Sequence, residues 1–526
     1  MPHTQLFACI RATLAHARAQ LPDAPALPAR AISRRTALAL MAAAAACSPE
    51  QASKAVLDKG PVAIVGGGLA GLVTAWRLAL AGLDITLYES SSRVGGRIQT
   101  LRDFTPEGQF AEYGGEFVDS NHTALASLCG ELDIALQRLR AEGDAAADLY
   151  DFGGAVHTGF NLLDGAPTGA FLSVAARIAA DQSTLLDDKG AWTARARELD
   201  RLPLSDYLAS LRPLAEQWVT DLLALAFLNE FGLAPSQQSS LNLIDVIGAD
   251  VSAPFALFGA RDHAQRIAGG SSSLPEALVN RLADAPLSDR ATLRLKHELV
   301  SIARDGEAIR LSFKGPEGPV ETAWARVVLA LPFTRLRTVK GLGGLGLSAD
   351  KMRAINELGY GAVAKLLVAT KSRPWRNGAI AGVEGPLSGA IWSDRGFQSV
   401  WDASVGQEGK GGILANQIGG APARGEETPV VNALVKGLKA LSPELADALN
   451  TDLRASFFWP QHPHTRGGYS AALPGQYVDL FEHAATPDLN GGLLFAGEHT
   501  SPASHGTMNG AVESGERAAR QLLEHA

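Results

Sequence analysis

Gly66, Gly68 and Gly71 stand in G-x-G-x-x-G spacing directly after a short apolar run, Val62 to Val65. The run reads as a buried parallel strand. Each glycine then has a physical role. Gly66 permits the tight turn, Gly68 lets backbone approach a pyrophosphate, and Gly71 lets helix and strand pack closely. The helical stretch read over Leu72 to Ala81 offers free N–H groups and a positive dipole end to phosphates. A second strand, Asp84 to Tyr88, ends on Glu89, where a carboxylate can accept both hydroxyls of an adenosine ribose. Arg93-Val94-Gly95-Gly96-Arg97 follows at once, a glycine pair between cations that suits a second close approach to a diphosphate. These residues specify a dinucleotide site without saying which dinucleotide.

The elements that must position them extend to the far end of the chain. Gly114 and Gly115 lie between strand-like segments in Ala111 to Asp119 and suggest another close backbone approach. Residues 136–264 read as mostly helical, with amphipathic runs at Leu204 to Leu211 and Ala215 to Phe231, and suit a cap or substrate domain. Glu230 within them reads as a solvated helix-end carboxylate in preference to a substrate contact. Ile267 to Pro275 is a loop opening a helix over Glu276 to Leu282. Thr292 to Ile302, Ala308 to Phe313 and Arg326 to Leu331 read as strands that return to the first domain. Tyr360 to Thr370 has strand character, and Lys365 inside it reads on pattern alone as an edge or snorkelling side chain. Near the C-terminus, Leu493 to Glu498 is a strand closing on Gly497-Glu498, and Gly506-Thr507-Met508-Asn509 opens a last helix, again an anion site by type. The domains are therefore expected to interleave: 58–135, 265–350 and 460–526 for the nucleotide, 136–264 and 351–459 for substrate.

The chain has 526 residues, enough for two domains with large cores. A net charge of −8 argues against nucleic acid as a partner and mildly favours a cationic substrate. Cys9, Cys47 and Cys129 form no metal or disulfide pattern. The first 50 residues stand apart. Ser33-Arg34-Arg35-Thr36-Ala37-Leu38 followed by the alanine-rich Ala39 to Ala46 resembles a twin-arginine export signal, although Ala37 replaces the usual aromatic. This implies the Tat export machinery as a partner and a bacterial periplasmic location. Ala44-Ala45-Ala46 suits signal cleavage, while Cys47 leaves lipidation open.

The blocks GGGLAG, RVGGR, EYGGEFV, AGGSSSLP, VVLALP, AVAK, W…RGGYS and FAGEHT…GTMNGAVESGERAA together resemble the flavin amine oxidase family of monoamine, polyamine and L-amino acid oxidases. They run from about residue 60 to the end. The resemblance implies an α/β fold: a Rossmann-type FAD-binding domain of the GR2, para-hydroxybenzoate-hydroxylase-like two-domain architecture, with an interleaved α+β substrate domain. It places FAD against Gly66, Gly68, Leu69, Ala70, Gly71, Glu89, Ser90, Arg93, Gly96 and Arg97. Further contacts would come from Gly114, Gly115, Glu116, Phe117, Trp459, Gly497, Glu498, Thr507 and Met508, with Val300 at the adenine end. The last helix would aim its N-terminus at the flavin N1–C2=O edge and stabilise the anionic reduced ring. Lys365 falls where the family holds a water near flavin N5 for reaction with oxygen, and Trp459 where a tryptophan packs beside the flavin. Gly468 occupies the place of the cysteine that monoamine oxidases join to FAD, so non-covalent FAD is expected.

Substrate class turns on a few positions of that comparison. Tyr469 matches the first aromatic of the monoamine oxidase cage and Thr507 replaces the second, opening it to longer or more polar amines. Phe117 stands where amino acid oxidases have a carboxylate-binding arginine. Asp119 lies near where some polyamine oxidases bind a distal amine. The expected reaction is oxidative deamination: hydride from the amine α-carbon to N5, imine hydrolysis to aldehyde, and electrons to oxygen or another acceptor. Open alternatives are an L-amino acid oxidase anchored by Arg261 or Arg466, a desaturase or porphyrinogen-oxidase-like enzyme, and an FAD-bound scaffold that does not turn over. A homodimer also stays open.

Overall fold

The computed structural model describes residues 60–139, 146–158, 168–247, 263–376 and 380–524. The export-signal segment, Cys47 and Arg261 lie outside them. Five parallel strands form the first sheet in the order Ala291–Arg294, Ile85–Tyr88, Val62–Val65, Arg326–Leu329, Leu493–Phe495. Val62–Val65 is central and at most 2% exposed at every residue, which is why its sequence is unbroken apolar where a one-sided strand would alternate. The helix Leu69–Leu80 packs on this sheet, and every residue of it except Arg77 and Leu80 is buried.

The helix begins earlier than the expected Leu72, at Leu69, because the Leu72 N–H already bonds back to the Gly68 carbonyl at 3.0 Å. The final helix, Met508–Glu524, lies against it so tightly that a Cβ on Gly515 would meet the Ala70 carbonyl oxygen at 2.6 Å. Thr74 Oγ1 also donates to the Gly515 carbonyl at 3.2 Å. The two ends of the described chain therefore build one half of the molecule together.

The strand expected over Thr292 to Ile302 is two strands. Ala291–Arg294 joins the parallel sheet, whereas Glu298–Asp305 pairs with Ala308–Gly315, and that strand in turn with Gly318–Trp324, in a separate antiparallel sheet. Lys296 makes the break: it sits at φ 59° and gives its N–H to the Ser91 carbonyl at 2.9 Å.

A second large sheet has seven strands in the order Leu449–Phe458, Val363–Thr370, Gly412–Gly419, Gln398–Asp402, Leu387–Ser393, Ala147–Phe152, Ala155–Thr158. It is mixed, since Leu387–Ser393 pairs in parallel with Ala147–Phe152. The hairpin over 147–158 corrects the expectation of a mostly helical 136–264 region. Its alternation is obscured by acids that only tertiary partners neutralise: Asp151 binds Arg395 Nε at 2.6 Å and Ser393 Oγ at 2.7 Å. Lys365 is likewise no edge residue. Val363–Thr370 lies between two strands, all eight residues are buried, and Lys365 is 2% exposed.

The helix Gln217–Phe231 packs on this second sheet, with Leu204–Leu211 against it, and ends on Gly232 in the left-handed region; Ala194–Arg201 precedes them. No helix among the described residues is long and apolar enough to cross a membrane, and no group of His, Cys, Asp or Glu there could hold a metal ion.

Candidate active site

A cleft of about 1170 Å³, counting its open mouth, runs from the first sheet to the second. Its inner end is the glycine turn. Gly66 adopts φ +114° and a Cβ there would lie 2.5 Å from the Ala330 carbonyl oxygen; one on Gly71 would lie 2.0 Å from the Gly66 oxygen. Glu89 ends the second strand with one carboxylate oxygen accepting the Gly67 N–H at 2.7 Å and the other accepting the Ser91 N–H at 2.7 Å. The glycine turn and the strand end are thus held together before any ligand arrives.

The 93–97 loop closes over this turn, with Gly95 N–H bonded to the Gly67 carbonyl at 2.8 Å. Arg93 holds the loop's shape, donating to the carbonyls of Val94, Ile98 and Gly96 and to Gln99. Burial pulls its guanidinium below the ordinary value. Arg97 reaches the other way, donating to Glu498 at 2.7 Å and to the Gly468 carbonyl at 3.0 Å.

Glu498 is the keystone of the far side. Its carboxylate accepts Arg97 Nη1, Ser470 N–H and Oγ–H, and Gly506 N–H. Burial alone would raise its pKa, but Arg97, His499 and Ser470 hold it down to about 2. Beyond it, the start of the final helix is capped by Thr507, whose hydroxyl accepts the Gly510 N–H at 3.0 Å. Trp459 donates its indole N–H to the Tyr113 carbonyl at 3.0 Å, and Tyr469 donates its hydroxyl to the Glu230 carbonyl. Burial pushes the Tyr469 phenol well up, so it stays neutral.

The cleft lining brings together Gly66, Gly68, Leu69, Ala70, Glu89, Ser90, Arg93, Gly96, Arg97, Gly114, Gly115, Lys365, Trp459, Gly468, Tyr469, Gly497, Glu498, Thr507 and Met508. Gly71 sits behind it in the helix–strand contact, while a Cβ on Gly115 would strike Met508 at 2.8 Å. Other expected residues lie elsewhere. Glu116 and Phe117 line a second cavity of about 1180 Å³ with Arg266, Arg376, Trp392 and Trp401. Phe117 faces that way because its two-residue strand pairs with Gln265–Ile267, and its ring stacks on His263 at 4.3 Å.

Asp119 lines neither cavity. Its Oδ1 accepts the His263 N–H at 2.8 Å and its Oδ2 lies 3.3 Å from His122 Nε2, so the distal-amine contact expected of it is replaced by a buried local network. Val300 is 39% exposed at a bulge, beside the segment in which His297 N–H bonds the Glu89 carbonyl at 2.8 Å. It thus stands near the strand end that carries Glu89, without lining the cleft. Glu230 is not solvated: it is 1% exposed, since the end of its helix is covered by the second sheet.

Gln417, His462 and His464 are among further cleft-lining residues that the expected contacts did not include, as is Trp401 in the second cavity. Burial, with His464 and Arg93 nearby, drops His462 to about 4, so it is neutral at pH 7. A signal for the histidines exists in the W-P-Q-H-P-H run just before RGGYS. Gln417 and Trp401 carry no local signal at all.

His499, next to the keystone acid, is fully buried against Phe333 with both ring nitrogens lacking a hydrogen-bond partner. Burial, together with Arg97, Lys351 and Arg517, lowers it to about 3, against the pull of Glu498. A depressed base contributes stability that is complete above pH 6.5 and is lost as pH falls toward 3, at ~1.4 kcal/mol per pH unit. His499→Leu removes that dependence. Its stability relative to wild type, from urea melts, is expected to rise by about 2–3 kcal/mol between pH 7 and pH 4.5.

A glycine turn under a helix start, an acid at the next strand end and a second helix start facing it define a dinucleotide-binding oxidoreductase of the two-domain flavoprotein type. The chain belongs to the flavin containing amine oxidoreductases, whose family model matches residues 69–523. Members of that family contain FAD and act on amines or amino acids. Among relatives, an L-amino acid dehydrogenase of Synechocystis sp. is 24% identical over 497 residues, covering 88% of this chain and 94% of that protein. The flavin-dependent L-tryptophan oxidase RebO of Lentzea aerocolonigenes is 25% identical over 513 residues, covering 88% and 97%. In fold, the chain is similar to cyclohexylamine oxidase from Brevibacterium oxydans, with TM-score 0.72, 23% identity, and coverage of 89% of this chain and 99% of that one.

Proposed function

We propose that the protein oxidises an amine lacking an α-carboxylate, using non-covalently held FAD. The observation that carries the reading is the state of the arginines. Arg93 and Arg97 line the cleft, and both are tied to protein acceptors. In the second cavity, all three guanidinium nitrogens of Arg266 are bonded, to Gln137, Ala403 and Val405. Phe117, which the family resemblance sets where amino acid oxidases carry their clamp, is an apolar ring stacked on His263.

FAD fits the residues present. Glycines would leave its path free of side chains, Glu89 Oε2, which accepts only the Gly67 N–H, has a lone pair left for a ribose hydroxyl, and two helix starts at the cleft would meet its anionic groups. Gly468 offers no sulfur for a covalent link. When bound, the flavin supplies a hydride acceptor. The chain supplies the rest. Trp459 and Tyr469 wall off water and favour the neutral, reactive amine by desolvation. Tyr469, anchored through its hydroxyl, fixes the approach of the amine. The helix start at Thr507–Met508, capped by the Thr507 hydroxyl, would supply N–H groups and a positive dipole end to negative charge held at this end of the cleft. No protein base is assigned, because an amine arriving deprotonated needs none. The imine product takes up water and leaves as aldehyde plus ammonia or a smaller amine. Export by the twin-arginine route is part of this reading and rests on Arg34-Arg35 and the alanine-rich stretch.

The names of two bacterial relatives favour a second reading, oxidation of an L-amino acid. Arg376 at the second cavity, bonded to Asp402 through Nη2, is the cation that would serve it. Anaerobic mixing with monoamines, polyamines and L-amino acids separates the two. Bleaching of the flavin by amines without a carboxylate is the expected result. Bleaching by amino acids alone would establish the second reading and reject the first.

A further inference from the structure

Lys365 is the only lysine lining the cleft among the described residues, and its ammonium group is spoken for. An ammonium has three N–H donors. Three acceptors surround this one: Glu116 Oε2 at 2.8 Å, the Gly114 carbonyl at 3.0 Å and the Glu112 carbonyl at 3.2 Å. The Trp401 ring lies 5.1 Å from the same nitrogen, and its indole N–H donates to the second oxygen of Glu116 at 3.1 Å. Lys365 and Glu116 side chains are each only 3% exposed, so little solvent competes for either. Other charges nearby also belong to protein partners: Glu112 is bonded to Thr100 and the Ser271 N–H, and Arg266 to backbone carbonyls.

The consequence follows from charge. Reduction of O2 begins with an anion, superoxide, and a lone cation at the flavin lowers that barrier. A lysine paired at 2.8 Å presents a dipole in place of a charge, and offers no spare N–H to a water. We propose that Glu116 is a positioning residue that masks Lys365, so that the reduced enzyme reacts slowly with O2 and passes its electrons to a quinone-class acceptor. Two electrons and one proton leave the anionic reduced flavin in either case, and solvent supplies the second proton, forming H2O2 from O2 or hydroquinone from a quinone. A quinone can take the electron pair as hydride in one step, bypassing the one-electron anion that O2 must form, and the resulting hydroquinonate is protonated from solvent. The inference rests on the flavin reading above, but not on which amine is oxidised.

The test begins with wild-type holoenzyme reduced by dithionite, so that amine specificity plays no part. Stopped-flow mixing with O2 is expected to give reoxidation within about tenfold of free reduced flavin, and mixing with a soluble benzoquinone at least tenfold faster reoxidation than with O2. O2 reoxidation a hundredfold faster than free flavin would overturn the proposal without any variant. Glu116→Gln leaves Lys365 without its counter-charge and is expected to speed O2 reoxidation by tenfold or more. Dye titration should show its flavin midpoint potential shifted upward. Glu116→Asp, which keeps the negative charge, should return both quantities toward wild type. A Glu116→Gln enzyme with wild-type potential and O2 rate would reduce Glu116 to packing. Failure of amines to bleach the enzyme, by contrast, would reject the proposed substrate and leave these rates measurable.

Discussion

Glu498→Gln protein is expected to purify with little flavin and to lose about 3–5 kcal/mol of stability at pH 7, measured by urea unfolding. The reason is the number of donors that converge on one buried carboxylate. One oxygen takes Arg97 and the Ser470 N–H; the other takes the Ser470 hydroxyl and the Gly506 N–H. An amide satisfies one oxygen's partners and points its own N–H groups at the rest. Arg97 is then a partly buried cation without its counter-charge. The pH dependence has a definite sign. The pKa of Glu498 is depressed from 4.5 to about 2, so its contribution is complete above pH 4.5 and is lost as pH falls through 2. The gap between variant and wild type should therefore narrow by about 2 kcal/mol between pH 7 and pH 3. A gap that does not change with pH would mean that the carboxylate's charge is irrelevant and only its shape matters.

Gly71→Val is the second large effect. A Cβ at this position would lie 2.0 Å from the Gly66 carbonyl oxygen and 3.2 Å from Ala330 Cβ, both at the glycine turn that ends the first strand. Neither obstacle is the end of a flexible side chain, so the helix must move away from the strand and carry its N-terminal N–H groups with it. The expected outcome is a colourless protein whose affinity for added FAD, by fluorescence quenching, is at least a hundredfold weaker. Gly130→Ala is the control. It lies in the Thr123–Glu131 helix with nothing within 4 Å of the added methyl, and should bind FAD normally while gaining up to about 1 kcal/mol. Equal FAD affinity in both variants would remove the glycine turn from the binding site.

What could be read along the chain is what local chemistry dictates. Val62–Val65 must be buried wherever it is placed, because an unbroken apolar run offers no solvent-facing side, and its β-branched residues and the glycine turn that follows favour a strand. Gly66 needs a positive φ, and a glycine at 71 announces a close contact before its partner is known. The family blocks extend this reading to residues as far apart as Glu89 and Glu498, since such blocks keep their spacing to a bound ligand.

Where a side chain points is a different matter, because strands that meet from distant parts of the chain decide it. Lys365 reads as a snorkelling residue until Gly412–Gly419 and Leu449–Phe458 close on both sides of its strand. Only the return of the 112–116 segment against it then provides its three acceptors. Asp119 is expected near a distal-amine site, but His263, 144 residues away, delivers its N–H to it. The hairpin at 147–158 hides in a polar sequence whose acids are answered by Arg395 and Ser388.

Binding of a dinucleotide, and a place among the flavin amine oxidoreductases, were thus legible before any fold was known, because phosphate recognition is built from backbone and glycine, whose geometry is local. Which charges are neutralised, and which side chains face the two cavities, had to wait for the folded chain. Burial and ion pairing are properties of what packs against a residue, and no spacing along a single strand encodes them.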